Sequence, residues 1–497
     1  MDDYKQLLDT ARNAWNSRKT RPIAWRKHQL EQFLKLLDEN EEILVQALFQ
    51  DLHKPKQEAI TFEVEFTRNV IRGCLAQVDQ WPQDEHVAKN LLTIMDTTFI
   101  RRDPYGVVLI MGAWNYPIQL SLVPVAGALV AGNCIFVKPS ELAPHSAQVM
   151  TALFNQYMDR ECCRAIMGGI PETTELLKHR FDYIFFTGSS RVGRVVGEAA
   201  NKYLTPCTME LGGKCPAWID KGINMDIAIK RIVWSKMANM GQTCVAPDYL
   251  LCSEEVRDLI LSKIPVYYKQ FFGSDAKASP DLCRIINDTH VQRLKRLKDK
   301  TKGTVVFGGH IDVEERFMDL TIITEISKDD AVMEEEIFGP ILPIVTVNSV
   351  QEAAQWINEK PKPLSLYIFS DHTENQDYLI DNTSSGSVCL NDAIVQLSVE
   401  TLPFGGVGDS GYGSYHGKYT FETFSHRKSV LKRDMGIIGE TLGVARYPPY
   451  SDKKINTLKN LVKARKFPHI PGFSYMICIG IGFGLAWIWH HFKPDAV

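Results

Sequence analysis

Short apolar runs, each closed by a glycine, proline or polar cluster, alternate with helix-periodic stretches through most of this chain. Over residues 1 to about 80 the spacing is helical: Leu30, Phe33, Leu34 and Leu37 fall at i, i+3, i+4 and i+7 and need a partner surface. That stretch reads as packing. From Gly106 onward the apolar runs 107–110, 134–137 and 183–186 each precede a turn cluster and a helical pattern. This alternation predicts an α/β fold with a parallel sheet, whose ligands gather beyond the carboxyl ends of the strands. A second α/β layer is expected from Leu211 onward, with a helix over 254–271 and strands at 304–307 and 341–345.

The pattern changes near the end. Residues 473–489 (FSYMICIGIGFGLAWIW) contain no charge and, as a helix, would extend about 26 Å, the short end of what spans a bilayer. Lys453, Lys454, Lys459, Lys463, Arg465 and Lys466 precede them, the basic flank of a cytoplasmic membrane face. A transmembrane anchor is expected at 473–489 after a basic linker at 436–472; a buried core helix is the alternative.

A net charge of −3 with no basic field argues against nucleic acid. Eleven cysteines without CxxC spacing, after a polar and acidic start, fit free thiols in a reducing compartment. Thirteen histidines without HExxH spacing give no reason to expect a metal.

One cysteine stands apart. Cys244 lies in the uncharged loop Met240-Gly241-Gln242-Thr243-Cys244-Val245-Ala246-Pro247, downstream of Glu210 in Glu210-Leu211-Gly212-Gly213-Lys214. Most cysteines are small core residues, but an accessible thiol with a carboxylate to act as base suggests covalent catalysis. Gly188-Ser189-Ser190-Arg191-Val192-Gly193 joins an apolar run to a helical pattern, so backbone N–H groups at the helix start suit a pyrophosphate. Taken alone, its glycines serve equally well to make the turn.

These segments resemble the aldehyde dehydrogenase family, class 3 in particular and most of all its membrane-bound fatty aldehyde type. The resemblance runs from about residue 100 to 430 through Pro104-Tyr105-Gly106, Trp114-Asn115-Tyr116-Pro117, Val137-Lys138-Pro139-Ser140-Glu141, Phe186-Thr187-Gly188-Ser189, Met209-Glu210-Leu211-Gly212-Gly213-Lys214, Gly241-Gln242-Thr243-Cys244, Glu336-Ile337-Phe338-Gly339-Pro340 and Pro403-Phe404-Gly405-Gly406. It implies a Rossmann-type NAD-binding domain at 1–90 and 104–210, a catalytic domain at 211–396, and bridging segments at 91–103 and 397–435 through which a homodimer forms. Cys244 is then the nucleophile, Asn115 an oxyanion donor with the Cys244 N–H, and Glu210 the base that activates water. Lys138 and Glu141 would bracket the adenosine ribose, with Gly188, Ser189 and Gly193 at the pyrophosphate. Glu336 would hold the nicotinamide ribose above Phe338. Outside that family pattern Lys138 and Glu141 read equally as a surface pair, and Glu334 to Glu336 as a solvated run.

Glu141 favours NAD, since a carboxylate accepts the ribose 2′-OH and repels a 2′-phosphate, though NADP stays open. The implied reaction is oxidation of medium- and long-chain fatty aldehydes to acids at a membrane. The tail points to the endoplasmic reticulum with the catalytic body in the cytosol; peroxisomal or mitochondrial outer membranes are alternatives. A general aliphatic or aromatic aldehyde dehydrogenase and a catalytically silent membrane scaffold are the competing readings.

Overall fold

The computed structural model describes residues 4–463, so the anchor expected at 473–489 lies outside the described residues. Among the described residues no helix is long and apolar enough to cross a membrane. The described residues form two compact units, 4–83 with 102–427, and 84–101 with 428–463.

The first unit contains a six-stranded sheet in the order Gly411–Tyr412, Cys207–Glu210, Tyr183–Thr187, Val107–Met111, Cys134–Lys138 and Cys163–Ala165. Only Gly411–Tyr412 runs antiparallel. Val107–Met111 and Cys134–Lys138 are buried along their whole length, which is why they read as unbroken apolar runs. The chain winds outward from Val107–Met111 to Cys163–Ala165, then crosses back to Tyr183–Thr187. The strand order therefore switches between Val107–Met111 and Tyr183–Thr187, where a crevice opens beyond the carboxyl ends.

Helix Pro117–Ala131 is apolar on nearly every side and accordingly buried. Pro117 opens it, and Gly132 at φ 91° closes it by donating to the carbonyls of Ala128 and Leu129. On the second helix, Ile23–Glu39, Leu30, Phe33 and Leu37 are fully buried, and Phe33 meets Phe154 edge-on at 6.2 Å.

A seven-stranded sheet of the same unit runs Thr304–Phe307, Thr321–Thr324, Ile341–Thr346, Tyr249–Cys252, Pro216–Ile219, Ser365–Phe369 and Ser387–Leu390. Only its first pair is antiparallel. The helix expected over 254–271 spans Glu254–Phe272, opened by the Ser253 side chain. Five residues join Glu210, at the carboxyl end of one sheet, to Pro216, at the amino end of the other. The carboxyl edge of the first sheet is thereby brought to the amino edge of the second.

The second unit is built on the sheet Glu85–His86, Thr97–Pro104 and Ser425–Lys432, to which its own residues contribute most of the strands. Within it Arg433 donates to the Asp96 carboxylate at 2.7 Å, and helices Ile437–Gly443 and Asp452–Val462 follow.

Candidate active site

The loop carrying Cys244 leaves helix Met225–Met237 through three successive left-handed residues, Asn239, Met240 and Gly241, at φ 51°, 56° and 73°. Gly241 is required there on a second count, because a Cβ would sit 2.5 Å from the Gly339 carbonyl oxygen. Buried hydrogen bonds hold the loop on both sides of the thiol. The Gln242 amide donates to the carbonyls of Asn239 and Arg284 at 3.0 Å each and accepts from Ile286 N–H at 2.9 Å. The Tyr367 hydroxyl donates to the Val245 carbonyl at 2.5 Å, and the Cys215 thiol to the Cys244 carbonyl at 3.3 Å.

Cys244 itself is partly exposed between buried neighbours. Burial, together with the Glu210 and Glu336 carboxylates, pushes its thiol above the ordinary range, while its own N–H and that of Val245 pull the other way. A thiol so placed is protonated at neutral pH and needs a base before it can attack.

Glu210 closes strand Cys207–Glu210 and is 3% exposed. Burial raises its carboxyl to about 8 against a single N–H donor, Gly406. Its Oε1 is buried without a partner, and a carboxyl at that value can take and return a proton near neutrality. Burial, then the Glu210 and Cys244 charges, raises the Tyr415 hydroxyl as well.

Asn115 follows strand Val107–Met111 and is buried. Its side-chain amide donates to the Gln242 carbonyl at 3.0 Å, two residues from Cys244. Beside it, Ala113, Tyr116 and Leu120 make an apolar wall against which Phe62 packs, and Phe62 in turn meets Trp234 at 6.2 Å. The Glu210 carboxylate acts on the Cys244 thiol, and the Asn115 amide is bonded to the loop that carries that thiol.

The residues expected at the cofactor line the crevice edge. Lys138 ends its strand and donates to Glu141 at 2.9 Å and to the Pro139 carbonyl at 3.0 Å. Partial burial works against ionisation of Glu141, but the Lys138 hydrogen bond and charge hold its carboxyl below the ordinary value. Gly188 follows Tyr183–Thr187, and Ser189 caps helix Ser190–Asn201 by accepting from Val192 N–H. Gly193 lets that helix approach Leu211, whose side chain a Cβ would meet at 2.9 Å.

Glu336 reaches across to Gly212 and Gly213 and accepts the Gly213 N–H. Burial, then Asp248, raises its carboxyl to about 8. Phe338 packs edge-on to Trp114 at 5.3 Å. The buried, unpartnered Thr187 hydroxyl at the strand-order switch and the capped helix start beside it suit a dinucleotide.

Other residues hold this arrangement, mostly through backbone groups. Lys214 donates to Asp248 at 2.5 Å and to the carbonyls of Val332 and Glu335. Arg293 donates to the carbonyls of Glu336 and Ile337. Near the catalytic loops Lys54 donates to the Asn115 carbonyl, while Glu58 accepts from Asn239 N–H and Glu63 from Ile118 and Gln119 N–H. Among the described residues no group of three or more His, Cys, Asp or Glu side chains is arranged to hold a metal.

Comparison with known proteins gives one answer. The profile of the aldehyde dehydrogenase family matches residues 1–430. The chain is 46% identical over 449 residues to the Mus musculus "Aldehyde dehydrogenase, dimeric NADP-preferring", covering 90% of this chain and 98% of that protein. It is also 46% identical over 448 residues to the Mus musculus "Aldehyde dehydrogenase family 3 member A2", covering 90% and 92%. A solved structure described as "Substrate bound state of Staphylococcus Aureus AldH" superposes with a TM-score of 0.89 at 39% identity, covering 93% of this chain and all of that one.

Proposed function

The chain belongs to the aldehyde dehydrogenase family, and from that premise we propose that it oxidises medium- and long-chain fatty aldehydes to carboxylic acids, with NAD as preferred acceptor. That it is an NAD(P)-dependent aldehyde dehydrogenase of class 3 follows from the family match and from relatives that align over most of their length. The observation that carries the proposal is the buried, unpartnered Glu210 carboxyl acting on the Cys244 thiol, with the Asn115 amide bonded to the same loop.

The Cys244 sulfur gives its proton to Glu210 and bonds to the aldehyde carbon, while the carbonyl oxygen becomes an alkoxide met by the Asn115 amide. Bound nicotinamide supplies the acceptor for the hydride that leaves this carbon, and Cys244 is left as a thioester. Glu210 releases that proton to solvent, then takes one from water as the water oxygen attacks the thioester carbon, and returns it to the departing sulfur. The acid leaves and the sulfur is freed. Glu336 orients the nicotinamide ribose, Phe338 supports the ring, and Lys138 with Glu141 brackets the adenosine ribose over the Gly188, Ser189 and Gly193 turn. Glu141 supports NAD, since its carboxylate disfavours a 2′-phosphate; the mouse relative named NADP-preferring supports NADP as the second reading.

The apolar wall of Ala113, Tyr116, Leu120 and Phe62 supports an aliphatic substrate. So does the uncharged segment 473–489, which we read as a tail anchor in the endoplasmic reticulum that holds a cytosolic enzyme where hydrophobic aldehydes concentrate. A homodimer is part of the proposal, in line with a relative named dimeric.

The test is NADH release by the full chain in lipid vesicles, over aldehydes of increasing length, beside a chain ending at Tyr450 and a Cys244→Ala variant. Efficiency should rise with chain length. The truncated form should lose activity on long aldehydes in vesicles while keeping it on short soluble ones, and Cys244→Ala should bind NAD without turnover. Equal efficiency at all lengths would reduce the reading to a general aldehyde dehydrogenase.

A further inference from the structure

We infer that Lys54, Glu63 and the half-buried Glu58 form a frame that fixes the Asn115 backbone against the loop carrying Cys244, and so sets where the developing oxyanion is met. The inference rests on the reading of Asn115 given above. Lys54 and Glu63 are an ion pair at 2.5 Å with both side chains wholly buried. The Lys54 ammonium also donates to the Asn115 carbonyl at 3.0 Å and lies 4.1 Å above the centre of the Tyr116 ring. Glu63 accepts from Ile118 N–H at 2.8 Å and from Gln119 N–H at 3.4 Å, at the open start of helix Pro117–Ala131. One charge pair therefore grips the segment on both sides of Tyr116.

Glu58 grips the other loop. It accepts from Asn239 N–H at 2.9 Å and from the Cys283 thiol at 3.5 Å. The Asn239 side chain then bridges the two loops, donating to the Asn115 carbonyl at 2.8 Å and to the Gln242 carbonyl at 3.1 Å. An unbroken polar path thus links the loop of the oxyanion donor to that of the nucleophile.

The local fold explains how two acids five residues apart serve one frame. In an α-helix they would point about 140° apart. Here residues Ala59–Val64 form a π-helical turn in which Glu65 N–H reaches back to the Ile60 carbonyl. The wider turn brings Glu58 and Glu63 round towards the same cation, and both carboxyls feel Lys54. A buried ion pair adds little net stability, because desolvation offsets its attraction. Its consequence here is placement. The three are positioning residues, since none touches the reacting atoms.

The test is a mutant cycle in the full chain, with octanal and NAD. Lys54→Met with Glu63→Gln removes both charges without leaving one unpaired, and is made in the parent and in an Asn115→Ala background. NAD affinity, read by fluorescence titration, should stay within about twofold, since none of the frame's hydrogen bonds goes to a residue assigned to the cofactor. In the parent, kcat/KM should fall at least tenfold, within the ~10²–10³-fold that loss of an oxyanion donor costs. In the Asn115→Ala background the same pair should change it by less than about twofold. Equal falls in both backgrounds, or a fall below about twofold in the parent, would overturn the frame alone. An Asn115→Ala protein with undiminished kcat/KM would overturn the reading of Asn115 and the frame with it. If the charge-free pair does not fold, Asn239→Asp carries the same cycle, because it keeps shape and left-handed tolerance while turning a donor into an acceptor against the two carbonyls.

Discussion

Replacing Glu210 with glutamine should make the protein more stable and nearly inactive, with a pH dependence that identifies the cause. In the fold this carboxyl titrates near 8 against an ordinary value of 4.5, because it is buried and has one N–H donor. A carboxyl raised in this way binds its proton more tightly folded than unfolded. Its contribution to stability is complete below about pH 4.5 and is lost as the pH rises through about 8. At about 1.4 kcal/mol per pH unit, the native glutamate is disfavoured relative to a neutral isostere by about 3 kcal/mol at pH 7 and about 5 kcal/mol above pH 8.

Thermal midpoints of the two proteins, measured from pH 4 to pH 9, should therefore coincide at the acid end and diverge steadily to about pH 8 in favour of glutamine. Rapid-quench turnover should meanwhile show thioester hydrolysis reduced by about 10²-fold or more. The same rate in the native enzyme should rise about tenfold between pH 7 and pH 9 as the base ionises, and this rise should survive Glu336→Gln. Midpoints that differ by a constant amount at every pH would refute the reasoning, since a titrating buried carboxylate cannot produce a constant offset.

Two further substitutions probe the cofactor edge. Glu141→Gln should move the ratio of kcat/KM toward NADP by about tenfold, equivalent to about 1.4 kcal/mol; an unchanged ratio would place the 2′ position elsewhere. Gly212→Ala would put a methyl onto the Glu336 carboxylate and should raise the KM for NAD about tenfold, the scale of one charge-assisted hydrogen bond, with little change in the affinity for aldehyde. Equal changes in both constants would mean that Glu336 does not serve the cofactor.

The strands of the first sheet were legible because burial on both faces leaves unbroken apolar runs: 107–110 becomes Val107–Met111 and 183–186 becomes Tyr183–Thr187. Pro216–Ile219 and Tyr249–Cys252 were not, since four apolar residues serve a strand or a buried helix equally. Site residues at the ends of strands, such as Glu210 and Lys138, stand out as polar groups closing apolar runs. Lys54, Glu58 and Glu63 do not. Charges at near-helical spacing read as a solvated face, and nothing in Ala59–Val64 announces a π turn that draws them inward. Left-handed backbone at Met240 is equally silent, because methionine carries a Cβ and gives no turn signal.

Gly241 and Gly339 lie back to back, with the Gly339 carbonyl where a Gly241 side chain would be and Leu294 pressed against the far side of Gly339. No deformable side chain cushions that contact. The segment bearing Glu336 and Phe338 is gripped by Arg293 and Lys214, and the loop bearing Cys244 by Gln242, so the two meet through backbone alone. On the proposed role of Glu336, seating a ribose would press on the loop of the thiol through that backbone contact.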